Sequence, residues 1–338
     1  MAQPFDLSTL RLAGTAATVV AGAIAASASE NGVLATSAGG RPQAIPTWFD
    51  RKGTPLGQVG EAGSIESLAL SPDGRKLVVG ELGDGSIGQV LWLRDLPSGA
   101  RTRLTFNDGA SAPVWAPQGN RIAYSSRSAG VVLPFLRAAD GTGGEIPLFP
   151  FDRNAWVNDW SSDGRWVVVS ATQPGGAGNA LWTVPMEGGT GRRPEPYVAA
   201  SSSQQQAQFS PDGRFVAYGS EESGTWEIYV QPFPNASDGK WMVSSGGGSE
   251  PRWSRDGREL FYFSGQTLMA VPVSLRPTFS NGAPAALFEA PVLAGYTSDG
   301  HRWQVAPDGT RFLMLANAGT DEAPPVDVAV NWPALLDE

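Results

Sequence analysis

A Ser-Pro-Asp-Gly corner, or a near variant of it, recurs along this chain at an almost constant interval. It occurs in ALSPDGRKLVVG (69–80), VWAPQGNRIAYSS (114–126), DWSSDGRWVVVS (159–170), QFSPDGRFVAYGS (208–220), RWSRDGRELFYFS (252–264) and QVAPDGTRFLMLA (304–316). A worn copy, SASENGVLATSA, occupies 27–38. The turn glycines Gly32, Gly74, Gly119, Gly164, Gly213, Gly257 and Gly309 are spaced by 42, 45, 45, 49, 44 and 52 residues. Such a period means that one supersecondary unit is repeated, and the fold must stack or ring its copies.

Each copy has a physical reading. A hydrophobic residue ends one strand: Leu70, Trp115, Trp160, Phe209, Trp253 or Val305. The corner follows; proline pre-sets φ, aspartate bonds back to nearby N–H groups, and glycine accepts positive φ. A second strand rich in Val, Ile, Phe and Tyr comes next. About ten residues later a third strand appears (VLWLRD, LWTVP, WEIYVQPF, LMAVPV), then a poorer fourth (TRLTF, IPLF, KWMVS, AALFEA). Four antiparallel strands per repeat describe a propeller blade. A β-sandwich has no reason to repeat one turn at one interval. The expected fold is all-β: one seven-bladed β-propeller, with blades near 21–60, 61–105, 106–149, 150–199, 200–244, 245–290 and 291–334. Six blades plus a frayed N-terminal repeat is the alternative.

The N-terminal stretch RLAGTAATVVAGAIAASASENG (11–32) has the look of a secretory signal peptide. The repeat argues otherwise. Residues 1–20 align without a gap on 269–288, which are the third and fourth strands of a blade, and AIAASASENGVLATSA then reads as an inner hairpin. The last repeat supplies three strands, so residues 14–20 are expected to complete it, hiding sheet edges that would otherwise invite pairing. A start in mid-blade suggests the C-terminal part of a longer protein.

Composition removes several functions. There is no cysteine, hence no disulfide, thiolate metal site or Cys nucleophile. The net charge is −9, which repels a phosphate backbone, so nucleic acid is not an expected partner. No apolar run reaches 18 residues, the length that would suggest a membrane span.

The stretch FSPDGRFVAYGSEESGTWEIYVQPFP…GKWMVSSGGGSEPRWSRDGRELFYFS (209–264) resembles the TolB-like, WD40-like propeller repeats of bacteria. With TRLTFNDGASAPVWAPQGNRIAYSSR (102–127) and VAVNWPALL (328–336), it resembles in particular the C-terminal propellers of bacterial serine/threonine protein kinases. The resemblance implies a sensor or scaffold, extracytoplasmic if joined to a membrane-spanning kinase and otherwise cytoplasmic. Several copies depart from the motif. The first corner is Ser-Glu-Asn-Gly and the third Ala-Pro-Gln-Gly, while the fourth and sixth keep Asp-Gly without proline.

Catalytic signatures are absent from the sequence. There is no His-Arg-Asp or Asp-Phe-Gly of a kinase, and no Gly-x-Ser-x-Gly of a serine hydrolase. The single histidine, His301, excludes a multi-His metal centre. SSGGGSEP (244–251) lacks the Gly-Lys-Ser/Thr of a phosphate loop and reads as a turn. The loops entering the innermost strands place Glu66, Asp159, Gln205, Glu250, His301 and Arg302 at the channel mouth as the candidate ligand-binding rim. The expectation is a monomeric, non-catalytic platform without cofactor or metal that binds a protein, peptide or small ligand there. The rivals are a carboxylate-based carbohydrate hydrolase or lyase, which needs two facing acids, and a structural spacer. The irregular loops 172–179 and 293–300 are where binding variation is expected.

Overall fold

The computed structural model describes residues 5–6, 9, 11–12, 25–29, 33–37, 42–83, 88–107, 109–176, 178–198, 201–292, 300–319 and 326–330. The chain divides into two compact units, Gln43–Ala318 and the paired ends Met1–Pro42 with Gly319–Glu338.

Among the described residues the larger unit has six antiparallel sheets. Their first strands are Ile65–Leu70, Ala110–Trp115, Ala155–Trp160, Gln204–Phe209, Ser249–Trp253 and Trp303–Val305. Each leads through its corner into a second strand, from Lys76–Leu82 in the first sheet to Arg311–Asn317 in the last. Third and fourth strands follow outward; in the fifth sheet, both Ser280–Asn281 and Ala285–Glu289 pair with Thr267–Ser274. The first strands adjoin one another in cyclic order, the last beside the first.

The corners form as their residues dictate. In four of them a serine hydroxyl donates to the aspartate: Ser71 to Asp73, Ser161 to Asp163, Ser210 to Asp212 and Ser254 to Asp256, at 2.6–2.8 Å. The same aspartate accepts the N–H two residues on, as in Arg75 to Asp73 at 3.0 Å. The Ala-Pro-Gln-Gly corner has neither side chain and still closes by Gly119 N–H to the Ala116 carbonyl, 2.8 Å, with Gly119 at φ 72°. The glycine conformation therefore makes the turn, and the aspartate reinforces it.

Between sheets the core is aromatic and aliphatic. Trp115 and Tyr124 of one sheet pack with Leu91 and Leu93 of its neighbour, and Phe261 and Phe263 pack with Trp303 and Phe312. Buried aromatics of this kind contribute about 2–3 kcal/mol each. Trp115 also donates its indole N–H to the Ala69 carbonyl (2.9 Å) and Trp253 to the Gln208 carbonyl (3.2 Å). Each indole ties an inner strand to the one before it.

The closing sheet corrects the sequence reading. PTWFDRKG (46–53) is expected as the third strand of the blade 21–60, and VDVAVNW (326–332) as the third strand of the last blade; instead Ala44–Asp50 pairs with Arg311–Asn317 over seven positions, Asp50 opposite Arg311 through Ala44 opposite Asn317. Pro55–Gln58 then adds the outer strand. The reason is side-chain size: Phe312, Leu313, Met314 and Leu315 are buried and need large partners on both faces. Phe49 joins Phe312 on one face, and Trp48 joins Leu313 and Leu315 on the other. Residues 14–20, expected to complete the last blade, lie outside the described residues.

In the smaller unit, Ala25–Ala28 pairs with Val33–Ser37, the inner hairpin expected from the repeat. The other edge of Val33–Ser37 carries Val326–Val330, giving three strands. Phe5–Asp6 pairs with Arg11–Leu12 in a two-stranded hairpin. The four-stranded sheets among the described residues thus number six, counting the five-stranded one, and the seventh repeat stands in this separate unit.

Candidate functional site

Five of the six inner strands carry a β-bulge just before the corner. In three of them a residue seven positions before the corner glycine takes a left-handed conformation: Ala112, Gln206 and Glu250, at φ 50°, 56° and 53°. Non-glycine residues hold that conformation at a cost of about 1–2 kcal/mol. The bulge changes which way the following side chains point. The residues five before each glycine are Ala69, Val114, Asp159, Gln208, Arg252 and Gln304.

Three of these side chains latch one inner strand to the next. Phe209 N–H donates to Asp159 Oδ2 (2.9 Å), Trp253 N–H to Gln208 Oε1 (2.8 Å), and Leu70 N–H to Gln304 Oε1 (2.9 Å). The same register recurs at each, so the latch belongs to the repeat. Arg252 occupies the equivalent slot with donors only. Its Nη1 donates to the Pro251 carbonyl (2.7 Å) and its Nε to the Trp303 carbonyl (3.3 Å).

Inside the latches lies a cavity of about 370 Å³ bordered by residues from all six inner strands and by corner residues such as Pro72, Pro117 and Pro307. Asn158, Arg252 and His301 supply buried polar groups, Asp159 a half-buried carboxyl, Trp115, Trp160 and Trp253 the aromatic wall, and Ser162 and Arg255 exposed groups at the lip. The volume is within the range of small-ligand sites.

The titratable groups are strongly displaced. Burial pushes the Asp159 carboxyl up to about 7, against the lowering effect of the Phe209 and Trp160 N–H groups and the Arg252 charge. Burial brings Arg252 down to about 10, with Glu250 and Asp159 opposing, so it remains a cation at neutral pH. Burial and then the Arg252 charge push His301 down to about 3. His301 is therefore neutral. Its Nε2 lies 2.7 Å from the Asn158 carbonyl oxygen. A carbonyl only accepts, so the proton sits on Nε2 and Nδ1 is an acceptor. Arg252 Nη2 and His301 Nδ1 are both buried, and neither has a hydrogen-bond partner among the described residues.

The six residues expected at the rim divide accordingly. Asp159 and His301 line the cavity. Glu250 and Arg302 instead form a buried ion pair, with Arg302 Nε donating to Glu250 Oε1 at 2.8 Å and Nη2 to the same oxygen. Gln205 is buried, and half-buried Glu66 accepts from Gln89 Nε2 at 2.8 Å. Neither lines the cavity. The reading missed Gln208, Arg252 and Gln304, although their common spacing from the corner glycine was available in the sequence. The glycine run near 246 does bind an anion, but an internal one: Gly246 and Gly247 N–H donate to Glu227 Oε1 at 2.8 and 3.0 Å. Of the irregular loops, 172–179 contains the short 3-10 turn Pro174–Gly176, and 293–299 lie outside the described residues.

No family model matches the chain. Among solved structures, a putative TolB from Agrobacterium tumefaciens is similar at a TM-score of 0.65 and 16% identity, over 83% of this chain and 100% of that one. This is the TolB-like β-propeller fold. TolB from Acinetobacter baumannii is similar at a TM-score of 0.52 and 16% identity over 72% of this propeller; the match spans 64% of that chain, less than two thirds of its length. An oligogalacturonate lyase in complex with manganese is similar at a TM-score of 0.52 and 13% identity, over 92% and 81% of the two chains. At such identities the likeness extends to the fold alone. Among the described residues no helix is long and apolar enough to cross a membrane.

Proposed function

We propose that this propeller is a non-catalytic binding platform whose axial cavity receives a segment of a protein, a peptide or a small ligand. One observation carries the reading: the cavity is bordered by all six inner strands, and its buried lining includes Arg252 and His301, each with a polar atom that no described residue satisfies. Buried polar groups left without a partner are destabilising by about 1–3 kcal/mol each. A ligand that satisfies them gains that much in return.

The chemistry favours binding over turnover. Among the described residues Asp159 is the only carboxyl-bearing residue lining the cavity, whereas a glycosidase needs two. A histidine with its pKa near 3 is a weak base at neutral pH. In keeping with the resemblance of the repeats, we assign the platform to the sensing or scaffold part of a longer bacterial signalling protein such as a serine/threonine kinase.

The test is a selection of random peptides on the full chain, followed by titration of the selected peptides and tryptophan fluorescence. Three tryptophans line the cavity and report on its occupancy. Replacing Ser162, exposed at the lip, by tryptophan should weaken binding by about tenfold or more, the equivalent of one lost anchor contact. Failure to select any binder, or binders indifferent to Ser162→Trp, refutes the platform.

A further inference from the structure

We infer that the axial cavity recognises a free carboxylate with an N–H or O–H donor beside it, as at the C-terminal residue of a peptide or in a small acylated or hydroxylated acid. This rests on the binding reading above and narrows it to a ligand chemistry.

The first argument is charge. The chain carries −9, yet among the described residues the cavity lining holds two arginines, Arg252 and Arg255, against the single carboxyl of Asp159. A cationic cavity in an acidic protein selects anions and repels the protein's own surface chemistry. The nearby Glu250 charge does not reverse the sign, because Arg302 is bound to it.

The second argument is geometry. Two backbone carbonyls, of Pro251 and Trp303, hold the Arg252 guanidinium in place, and Nη2 remains without a described partner. A fixed guanidinium donating to a carboxylate makes a short, charge-assisted bond, stronger where water is excluded. The Asn158 carbonyl fixes the His301 tautomer and leaves Nδ1 as an acceptor. Both residues border the cavity, Arg252 with an unpartnered cationic donor and His301 with an unpartnered neutral acceptor. A carboxylate satisfies the first, and the N–H or O–H on its neighbouring atom satisfies the second. A phosphate dianion fits less well, because its second charge meets Asp159. Val114, Trp160 and Pro307 offer an apolar wall to the body of the ligand.

Asp159 then makes recognition depend on pH. It shares the cavity with Arg252, whose charge acts on it, and with His301, while Glu250, which is paired to Arg302, acts in turn on Arg252. If the bound carboxylate requires Asp159 neutral, its affinity falls by about tenfold between pH 6 and 8.

The experiment presents random hexapeptides to the full chain in two forms, free acid and carboxamide. N-acetyl amino acids and inorganic phosphate serve as further probes. Free acids are expected to bind about tenfold or more tightly than their amides, and Arg255→Glu, an exposed substitution, to weaken the acids and leave the amides unchanged. Equal affinity for N-acetyl amino acids and hexapeptides identifies a small acid as the ligand; affinity that grows with length identifies a peptide terminus. Acids and amides that bind equally, and are both lost in Ser162→Trp, overturn the carboxylate and leave the platform standing. Phosphate that competes better than the acids also overturns it. No binder of either form overturns both.

Discussion

Asp159 and His301 occupy one cavity and pull the stability of the fold in opposite directions with pH. Asp159 titrates near 7 in the folded chain and near the ordinary carboxylate value once unfolded. Between about pH 4 and 7 the folded state therefore holds a proton that the unfolded state has released, and stability falls as pH rises. His301 titrates near 3 when folded and near the ordinary histidine value when unfolded. Between about pH 3 and 6.5 the unfolded state holds the extra proton, and stability rises with pH. Each slope is about 1.4 kcal/mol per pH unit, and where the windows overlap they cancel. Single substitutions separate them. Asp159→Asn keeps an oxygen to accept from Phe209 and leaves the histidine unopposed, so the variant should lose about 2 kcal/mol relative to wild type between pH 6 and 4.5. His301→Gln keeps an N–H for the Asn158 carbonyl and leaves the aspartate unopposed, so it should gain about 2 kcal/mol over the same interval. Urea unfolding of the three proteins at four pH values in that window measures the slopes directly. Parallel curves for all three would mean that neither group is displaced by its cavity, and the electrostatic account of the site would fall with them.

Other outcomes follow from the same contacts. Glu250→Ala strands Arg302 beside Arg252 and should destabilise by about 3–5 kcal/mol, whereas Glu250→Gln with Arg302→Met should recover most of it in denaturant melts. Asp212→Ala removes bonds from the Ser210 hydroxyl and the Arg214 N–H and should lower stability by about 1–2 kcal/mol. The reverse change at the bare corner, Gln118→Asp, should raise stability by about 0.5–1 kcal/mol if its carboxylate accepts the N–H two residues on; no gain in the thermal midpoint would count against the corner argument. Phe49→Ala opens the closing sheet between Phe312 and Phe288 and should cost about 3–5 kcal/mol.

The period of the corners made the all-β, four-stranded architecture legible before any coordinates, because proline, aspartate and glycine act locally on the backbone. Closure was harder to read. The partner of Arg311–Asn317 lies more than two hundred residues away in sequence, and spacing alone gives no preference between Ala44–Asp50 and the nearby residues 326–332 of the last repeat. Side-chain volume decides it, since only the former brings Trp48 and Phe49 to the buried Phe312–Leu315. The cavity-lining positions are obscured for a related reason. Glu66, Gln205 and His301 lie eight residues before their corner glycines, Glu250 and Arg302 seven, and Asp159 five. On a strand those offsets alternate faces, and the bulges shift them again. Only aligning all copies on the glycine separates the latch position from the others.

That alignment also singles out Arg252. Asp159, Gln208 and Gln304 occupy the same slot and accept an N–H from the next inner strand. The homologous N–H beyond Arg252 belongs to Val305, and a guanidinium has no lone pair to offer it. The repeat therefore gives up its own latch at one point, and places there a buried cation that faces the cavity. A local departure from an otherwise consistent pattern marks a position held for a reason other than stability. Replacement by what the repeat prescribes tests this. Arg252→Gln should accept the Val305 N–H and keep stability within about 1 kcal/mol of wild type, while Arg252→Met, of similar length but unable to latch, should fall by about 2 kcal/mol more. Both should bind free-acid peptides about tenfold less tightly than wild type. Gln and Met variants that are equally destabilised would remove the latch argument, and undiminished acid binding by either would remove Arg252 from the site.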